Sequence, residues 1–299
     1  MPKYHASQHL GYNSKGHRNF DFLDINLRED NEIFIDPCLL EVSDNPYGTE
    51  AALVVQSFFD KFYQALRDND RETYHALLLH ARERNAAKLG YGNGLNGTGN
   101  SPEGLAEKLM PLWELADRIG LTRPMDIAIF ISGFGLDGMT DLITNVACKP
   151  LLGFTQAECA KQDQRHLTPM RHWFWNRNSN SWEEEVANYP TYNNNPFLLI
   201  PKDCARNRFI MSTSHYLRRG ILERQKRESA RTDERGRETT TSKKDLMNRI
   251  PKDEQNWRYS YTTDYTENHP DVLDEYYEAT RRYFRERRLS NERLDELIY

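Results

Sequence analysis

The sequence predicts a helix-dominated α+β protein with a helical centre, a small sheet and a helical C-terminal extension. Three observations carry this. Apolar residues recur at helical spacing at Ala51, Leu53, Val54, Phe58 and Phe62, and again at Leu77, Leu78 and Ala81. Two β-prone runs, Ile33-Phe34-Ile35 and Phe197-Leu198-Leu199-Ile200, end at Asp36-Pro37 and Pro201-Lys202, where proline stops a strand and a turn begins. Helical texture returns after residue 270, with Val272, Tyr276, Tyr283 and Phe284 expected to face inward.

Residues 1–20 are polar and are expected at the surface, and residues 21–40 read as short strands. Residues 49–88 read as two helices with a break at Asn69-Asp70. Ser101-Pro102-Glu103 supplies an N-cap, a proline at the first helical position and an acidic first turn, which opens a helix to about Ile119. Residues 125–132 form a further expected helix, Gly133-Phe134-Gly135 a tight turn, and residues 137–148 another helix. His172, Phe174 and Trp182, with Trp173 and Trp175, predict a hairpin across the polar residues 176–181. Residues 239–242 read as a polar link, and Ser290-Asn291 as a break in the C-terminal helix.

Length and charge set the organisation. The 299 residues suffice for one large domain or two modest ones. The expected division is a main globular α+β domain at 1–216, a basic linker or helix at 217–249 and a helical extension at 250–299. The net charge of −5 gives no global positive field, so any polyanion must meet a local patch. Residues 217–249 concentrate such charge, with 11 Lys/Arg against 6 Asp/Glu. The chain is polar, but 11% aromatic residues argue against wholesale disorder. No apolar run predicts a secretory signal or a membrane span, and Cys38, Cys148, Cys159 and Cys204 form no CxxC pair. A cytoplasmic protein with reduced thiols and no structural zinc is therefore expected.

The segment Gly133-Phe134-Gly135-Leu136-Asp137-Gly138-Met139-Thr140-Asp141 resembles a helix-hairpin-helix element. Such turns hold a phosphate on backbone N–H groups at the start of the second helix, which makes Gly133 and Gly135 candidate phosphate contacts. Asp137 and Asp141 depart from that pattern, which usually carries neutral or basic residues there. They admit a second reading. Asp137, Asp141 and Asn145 recur every four residues and share one helix face, a set able to hold Mg²⁺ or Mn²⁺ through oxygen ligands, or else a solvated stripe. Asp36, at a strand end, is a further candidate ligand. Glu83 is a candidate ligand or general base, with His80 as a proton shuttle. The alternative for both is a charged helix end.

The literal GxGxxG at Gly92, Gly94 and Gly97 follows a helix, so it is not the dinucleotide fingerprint, and no GK[ST] makes it a Walker loop. Together with Ser101 it offers free N–H groups to a phosphate, or forms a plain surface loop. Lys202 is a candidate for polarising a phosphate, although Ile200 stands where restriction-endonuclease-like nucleases carry an acid. Arg218, Arg219, Lys226 and Arg227 are candidate nucleic-acid contacts, set against a solvated helix. Trp173, Trp175 and Trp182 offer base-stacking faces or core packing. There is no GxSxG, and Cys159 with His166 or His172 is a weak nucleophile pair.

The combination Phe34-Ile35-Asp36-Pro37, Gly133-Phe134-Gly135-x-Asp137-x-x-x-Asp141-x-x-x-Asn145 and Leu198-Leu199-Ile200-Pro201-Lys202 resembles an uncharacterised bacterial family found among restriction and anti-phage genes. The resemblance implies bacterial cytoplasm, a partner protein of a defence system, and nucleic acid as substrate or trigger. Three readings stand at this point. One is a metal-dependent nucleic-acid hydrolase with Asp137, Asp141, Glu83 and Lys202 as catalytic residues. Another is a non-catalytic subunit that binds nucleic acid or a partner, alone or as an oligomer. The third is a sensor whose glycine loop orders on a trigger.

Overall fold

The structure, a computed structural model, describes residues 4–81, 86–90, 102–162, 167–232 and 236–299. Its helices in chain order are α1 (Ala6–Leu10), α2 (Pro37–Leu40), α3 (Pro46–Arg67), α4 (Arg71–His80), α5 (Pro102–Leu109), α6 (Leu112–Leu115), α7 (Asp126–Phe130), α8 (Leu136–Val146), α9 (Cys148–Lys161), α10 (Thr213–Tyr216), α11 (Leu222–Glu228), α12 (Lys243–Arg249), α13 (Trp257–Asn268), α14 (Asp271–Arg281) and α15 (Asn291–Ile298). The strands are β1 (Phe34–Ile35), β2 (Thr168–Asn176), β3 (Ser181–Tyr189), β4 (Thr191–Tyr192), β5 (Asn195–Pro196), β6 (Ala205–Arg206), β7 (Arg231–Thr232) and β8 (Glu238–Thr239). Among the described residues they make four antiparallel pairs, β1 with β6, β2 with β3, β4 with β5 and β7 with β8. This is a helix-dominated α+β fold.

The core is built on α3. Asn45 caps it by accepting the Tyr47 N–H at 2.9 Å, with Pro46 at the first position, where its missing N–H costs nothing. Its buried face carries Phe58, Phe59, Phe62 and Tyr63. The β2–β3 hairpin packs Trp175 edge-on against Phe58 at 5.2 Å, and the indole N–H donates to Ser57 Oγ at 2.9 Å. Trp182 donates to the Leu77 carbonyl at 2.9 Å. Both indoles are thus core or near-core groups, and Trp173 stacks on His80 at 4.1 Å. The break between α3 and α4 falls where expected, with Asn69 at φ +54° and Asp70 accepting the Thr73 N–H at 3.0 Å.

Several expectations are corrected. The helix expected to run to Ile119 divides into α5 and α6 at Pro111, which has no N–H to continue the ladder. Residues 197–200 are buried but, among the described residues, pair with no strand. The Leu198 N–H goes to the Ala86 carbonyl at 2.7 Å, the Leu199 N–H to Thr155 Oγ1 at 2.9 Å, and the Ile200 carbonyl accepts from Leu23 N–H at 2.9 Å. The partner of β1 is therefore β6. Tyr283 is 52% exposed, while Val272, Tyr276 and Phe284 face inward as expected. The polar link at 239–242 ends in Ser242, which caps α12 by accepting the Asp245 N–H.

The polar N-terminal stretch is also buried in part, because a hydrogen-bonded cluster satisfies it. His17, fully buried, places Nδ1 2.6 Å from Asp295 Oδ1, and its Nε2 accepts the Asp24 N–H at 3.1 Å. That fixes the neutral tautomer with the proton on Nδ1. Ser7 donates to Asp24 at 2.7 Å, and Tyr299 donates to the same carboxylate. The cluster looks like a Ser/His/Asp set, but the imidazole nitrogen a base would use is occupied by a backbone donor. Its role is to lock α15 onto the N-terminal segment.

Asp126 gives a pH test. Its Oδ2 accepts the Thr122 and Arg123 N–H groups at 2.9 and 2.8 Å, while buried Oδ1 has no hydrogen-bond partner among the described residues. Burial pushes its pKa from 3.8 up to about 6, against the pull of those N–H groups. A raised carboxyl pKa contributes stability that is present below 3.8 and lost as pH rises through about 6. His17, its pKa lowered by burial, acts in the opposite sense and loses its contribution as pH falls below the ordinary 6.5. The difference between Asp126→Asn and wild type isolates the first effect. Urea melts are expected to show the variant gaining ~3 kcal/mol relative to wild type between pH 4 and 7; a pH-independent difference would contradict this.

Candidate nucleic-acid interface

The basic segment folds into α10, a π-turn at Leu217–Ile221, α11, the β7–β8 hairpin and α12. Buried Leu217, Ile221 and Leu222 hold the turn down, leaving Arg218 and Arg219 exposed on it. Gly220 is needed there, since a Cβ would stand 2.7 Å from the Tyr216 ring and 3.1 Å from Tyr276 Cβ. Side-chain bonds fix the frame. Thr213 donates to the Ile129 carbonyl at 2.6 Å, Tyr216 OH meets Thr266 Oγ1 at 2.7 Å, and Gln225 donates to Tyr261 OH at 2.8 Å. These tie α10 to α7 and tie both α10 and α11 to α13.

Pro251 ends α12 one residue after Ile250, because the residue before a proline is pushed out of the helical region. The chain then turns through Lys252 into α13, whose first two residues are Trp257 and Arg258. Between α10, the π-turn, α12 and α13 lies a cavity of about 330 Å³ lined by Ser214, Leu217, Arg218, Met247, Lys252, Trp257 and Arg258. Arg258 lies 4.5 Å from the Trp257 ring centroid and Lys252 5.8 Å. Arg218, Lys252 and Arg258 are exposed, and among the described residues none of the three pairs with an Asp or Glu. Asp253 and Glu254 follow Lys252 on the chain but do not line the cavity.

Three other cations of the segment pair with acids. Arg227 binds Glu275 at 2.6 Å, and Arg224 binds Asp271 at 2.8 Å and Glu275 at 2.9 Å. Lys243 pairs with Glu223. Arg227 thereby ties α11 to α14. Arg219 lines a neighbouring groove that also holds Asp271, Asp274, Glu275 and Glu278, a mixed-charge setting for a polyanion. Lys226 is half-buried on α11. Of the four sequence candidates, only Arg218 lines the cavity.

Among the described residues the proposed metal ligands are not brought together as a metal site. The α8 stripe runs from exposed Asp137 through half-buried Asp141 to buried Asn145, whose amide donates to the Asp141 carbonyl at 2.8 Å. The Asp137 carboxylate abuts Gly90, where φ is +125° and an added Cβ would fall on it. Asp36 is fully buried, and its oxygens accept the Cys38 N–H at 2.9 Å and the Ile210 N–H at 2.7 Å. It caps α2 and pins the chain after β6. Lys202 donates to the His17 carbonyl at 2.6 Å; burial lowers its pKa, while Asp21, Asp203 and Asp295 raise it. Among the described residues no three His, Cys, Asp or Glu side chains converge as a metal site would require. Glu83, Gly92, Gly94, Gly97, Ser101 and His166 lie outside the described residues. Gly133 has φ +82°, and Gly135 is the N-cap of α8, with no side-chain cap and with Asp137 in the first turn. Cys159 is buried and its thiol is pushed up to about 11, first by burial and then by Glu158, far from a nucleophilic thiolate.

Ser214, Lys252, Trp257 and Arg258 were not singled out from the sequence. The signal present was a cation pair bracketing a tryptophan at a helix start, just past the basic segment. No helix among the described residues is long and apolar enough to cross a membrane. No curated protein and no solved structure matches the chain. A family model described as a domain of unknown function, DUF8370, matches residues 11–212, ending just before α10, so the cavity lies beyond the matched region. That match covers more than half of the sequence, and the chain belongs to the DUF8370 family.

Proposed function

We propose that this protein binds nucleic acid through the Trp257 cavity and its three cations, as a recognition subunit rather than a hydrolase. One observation carries the reading. In a chain of net charge −5, Arg218, Lys252 and Arg258 line one cavity with Trp257, and no Asp or Glu is paired to them among the described residues. Arg118, Arg123, Arg177, Arg224, Arg227, Arg281 and Arg288 each meet an acid, whereas these three share a cavity of about 330 Å³ with an indole. Cations left available beside an aromatic face suit a ligand that brings phosphates and flat rings.

Binding of a labelled oligonucleotide, followed by fluorescence anisotropy in EDTA, tests this. Saturable binding that weakens steeply with salt is expected without any metal. The same mixtures with Mg²⁺ or Mn²⁺ are expected to keep the oligonucleotide intact. Cleavage lost in Asp141→Ala would instead place the function in hydrolysis at α8.

A further inference from the structure

Resting on that reading, we infer that the Trp257 cavity takes a single unpaired nucleotide, its base stacked on the indole and its phosphate held by Arg218 and Lys252. The chain would thereby prefer single strands or free ends over duplex.

Size comes first. A cavity of about 330 Å³ is at the small end of ligand pockets and has room for one base with its sugar, not for a paired duplex. The walls have the right chemistry. Trp257 offers a ring face, while Leu217 and Met247 add apolar lining, methionine being an adaptable partner for flat rings. Ser214, an exposed lining residue, supplies a hydroxyl as donor or acceptor for a base edge or a ribose.

The cations then explain how the site works. Lys252 sits over the indole at a loose 5.8 Å, on an exposed and flexible stem. A base entering the ring face displaces that ammonium, and the freed Lys252 turns to the phosphate beside Arg218. Arg258, closer at 4.5 Å, stays on the ring and keeps it electropositive toward the base's carbonyl and ring-nitrogen acceptors. A phosphoryl group alone would use the cations but leave the indole idle, and a duplex would meet the cations but offer no free base.

Calorimetric titration of the full chain with adenosine 5′-monophosphate, adenosine and inorganic phosphate separates these cases. The nucleotide is expected to bind at least about tenfold more tightly than either fragment. Trp257→Ala is expected to weaken the nucleotide by roughly tenfold or more and to leave inorganic phosphate unchanged, with Trp257→Phe restoring most of the loss. Unchanged phosphate affinity and thermal midpoint also guard against misfolding. Inorganic phosphate binding as tightly as the nucleotide, or no change in Trp257→Ala, would overturn the inference. Single-stranded and duplex oligonucleotides that bind equally would overturn it too, while leaving nucleic-acid binding itself intact. Mononucleotide binding with no oligonucleotide binding would do the reverse.

Discussion

Replacing Arg218, Lys252 and Arg258 together by alanine is expected to weaken oligonucleotide binding by roughly a hundredfold at low salt. The reasoning is electrostatic. Each phosphate contact made by a cation releases condensed counterions, so removing the contacts of Arg218 and Lys252 lowers the slope of log affinity against log salt by about 1.4 for a single strand, while the loss of Arg258 acts through the ring face. All three side chains are exposed and line one cavity, and among the described residues none has an acid to lose. Stability should therefore stay close to that of wild type, since exposed substitutions of this kind usually change it by less than ~0.5 kcal/mol. Arg227→Ala is the matching control. It breaks the tie to Glu275 and is expected to leave the salt slope unchanged. A triple variant with the wild-type slope would show that the phosphates lie elsewhere on the molecule.

The largest stability effect is expected at Trp175. Its side chain is 1% exposed, meets Phe58 and Trp182 edge-on, and donates to Ser57. Trp175→Ala removes one of the largest buried side chains, for which the usual loss is about 3–5 kcal/mol. It also leaves the Ser57 hydroxyl without its indole donor. Denaturant melts measure the loss. Below the variant's transition, the fraction still folded should bind oligonucleotide as wild type does, because this indole is core and not a stacking face. Trp257→Ala is expected to behave in the opposite way, costing binding and little stability. Swapped outcomes would mean that the two tryptophans have been assigned the wrong roles.

Local pattern made much of the fold legible. The β2–β3 hairpin and the α3–α4 break follow from alternation, from helical spacing, and from Asn69 and Asp70 as a left-handed turn followed by a cap. Pro111 was present in the sequence but was overridden by the apolar spacing on either side of it. Residues 197–200 look like a strand because they are apolar and β-prone, yet their partners are a loop carbonyl and a threonine hydroxyl, which only tertiary placement supplies. Helix α13 lies within the helical extension expected at 250–299, but its inward face is hard to read from sequence because its buried positions are Thr262, Thr263 and Thr266 rather than aliphatic residues. The N-terminal polar residues read as surface because nothing local announces Asp295 and Tyr299, nearly the whole chain away.

The candidate site was legible as a region but not as residues. Charge counting picked out 217–249, and Arg218 lies within it. The same counting cannot tell that Glu275 reaches back to Arg227, or that Lys252 and Arg258 escape the acids beside them in an otherwise acidic tail. The acids on α8 were chosen for a shared face, which the helix does provide. A metal site also needs a third ligand from another element, and Asp36 has both carboxylate oxygens occupied by backbone N–H groups.

Amide hydrogen exchange with and without a single-stranded oligonucleotide tests the central claim most directly, because it locates the contact without a substitution. Protection is predicted to appear at residues 213–219 and 250–258, around the Trp257 cavity. Protection confined to residues 133–142, or binding with no protection around Trp257, would contradict the account and return the site to the glycine turn before α8.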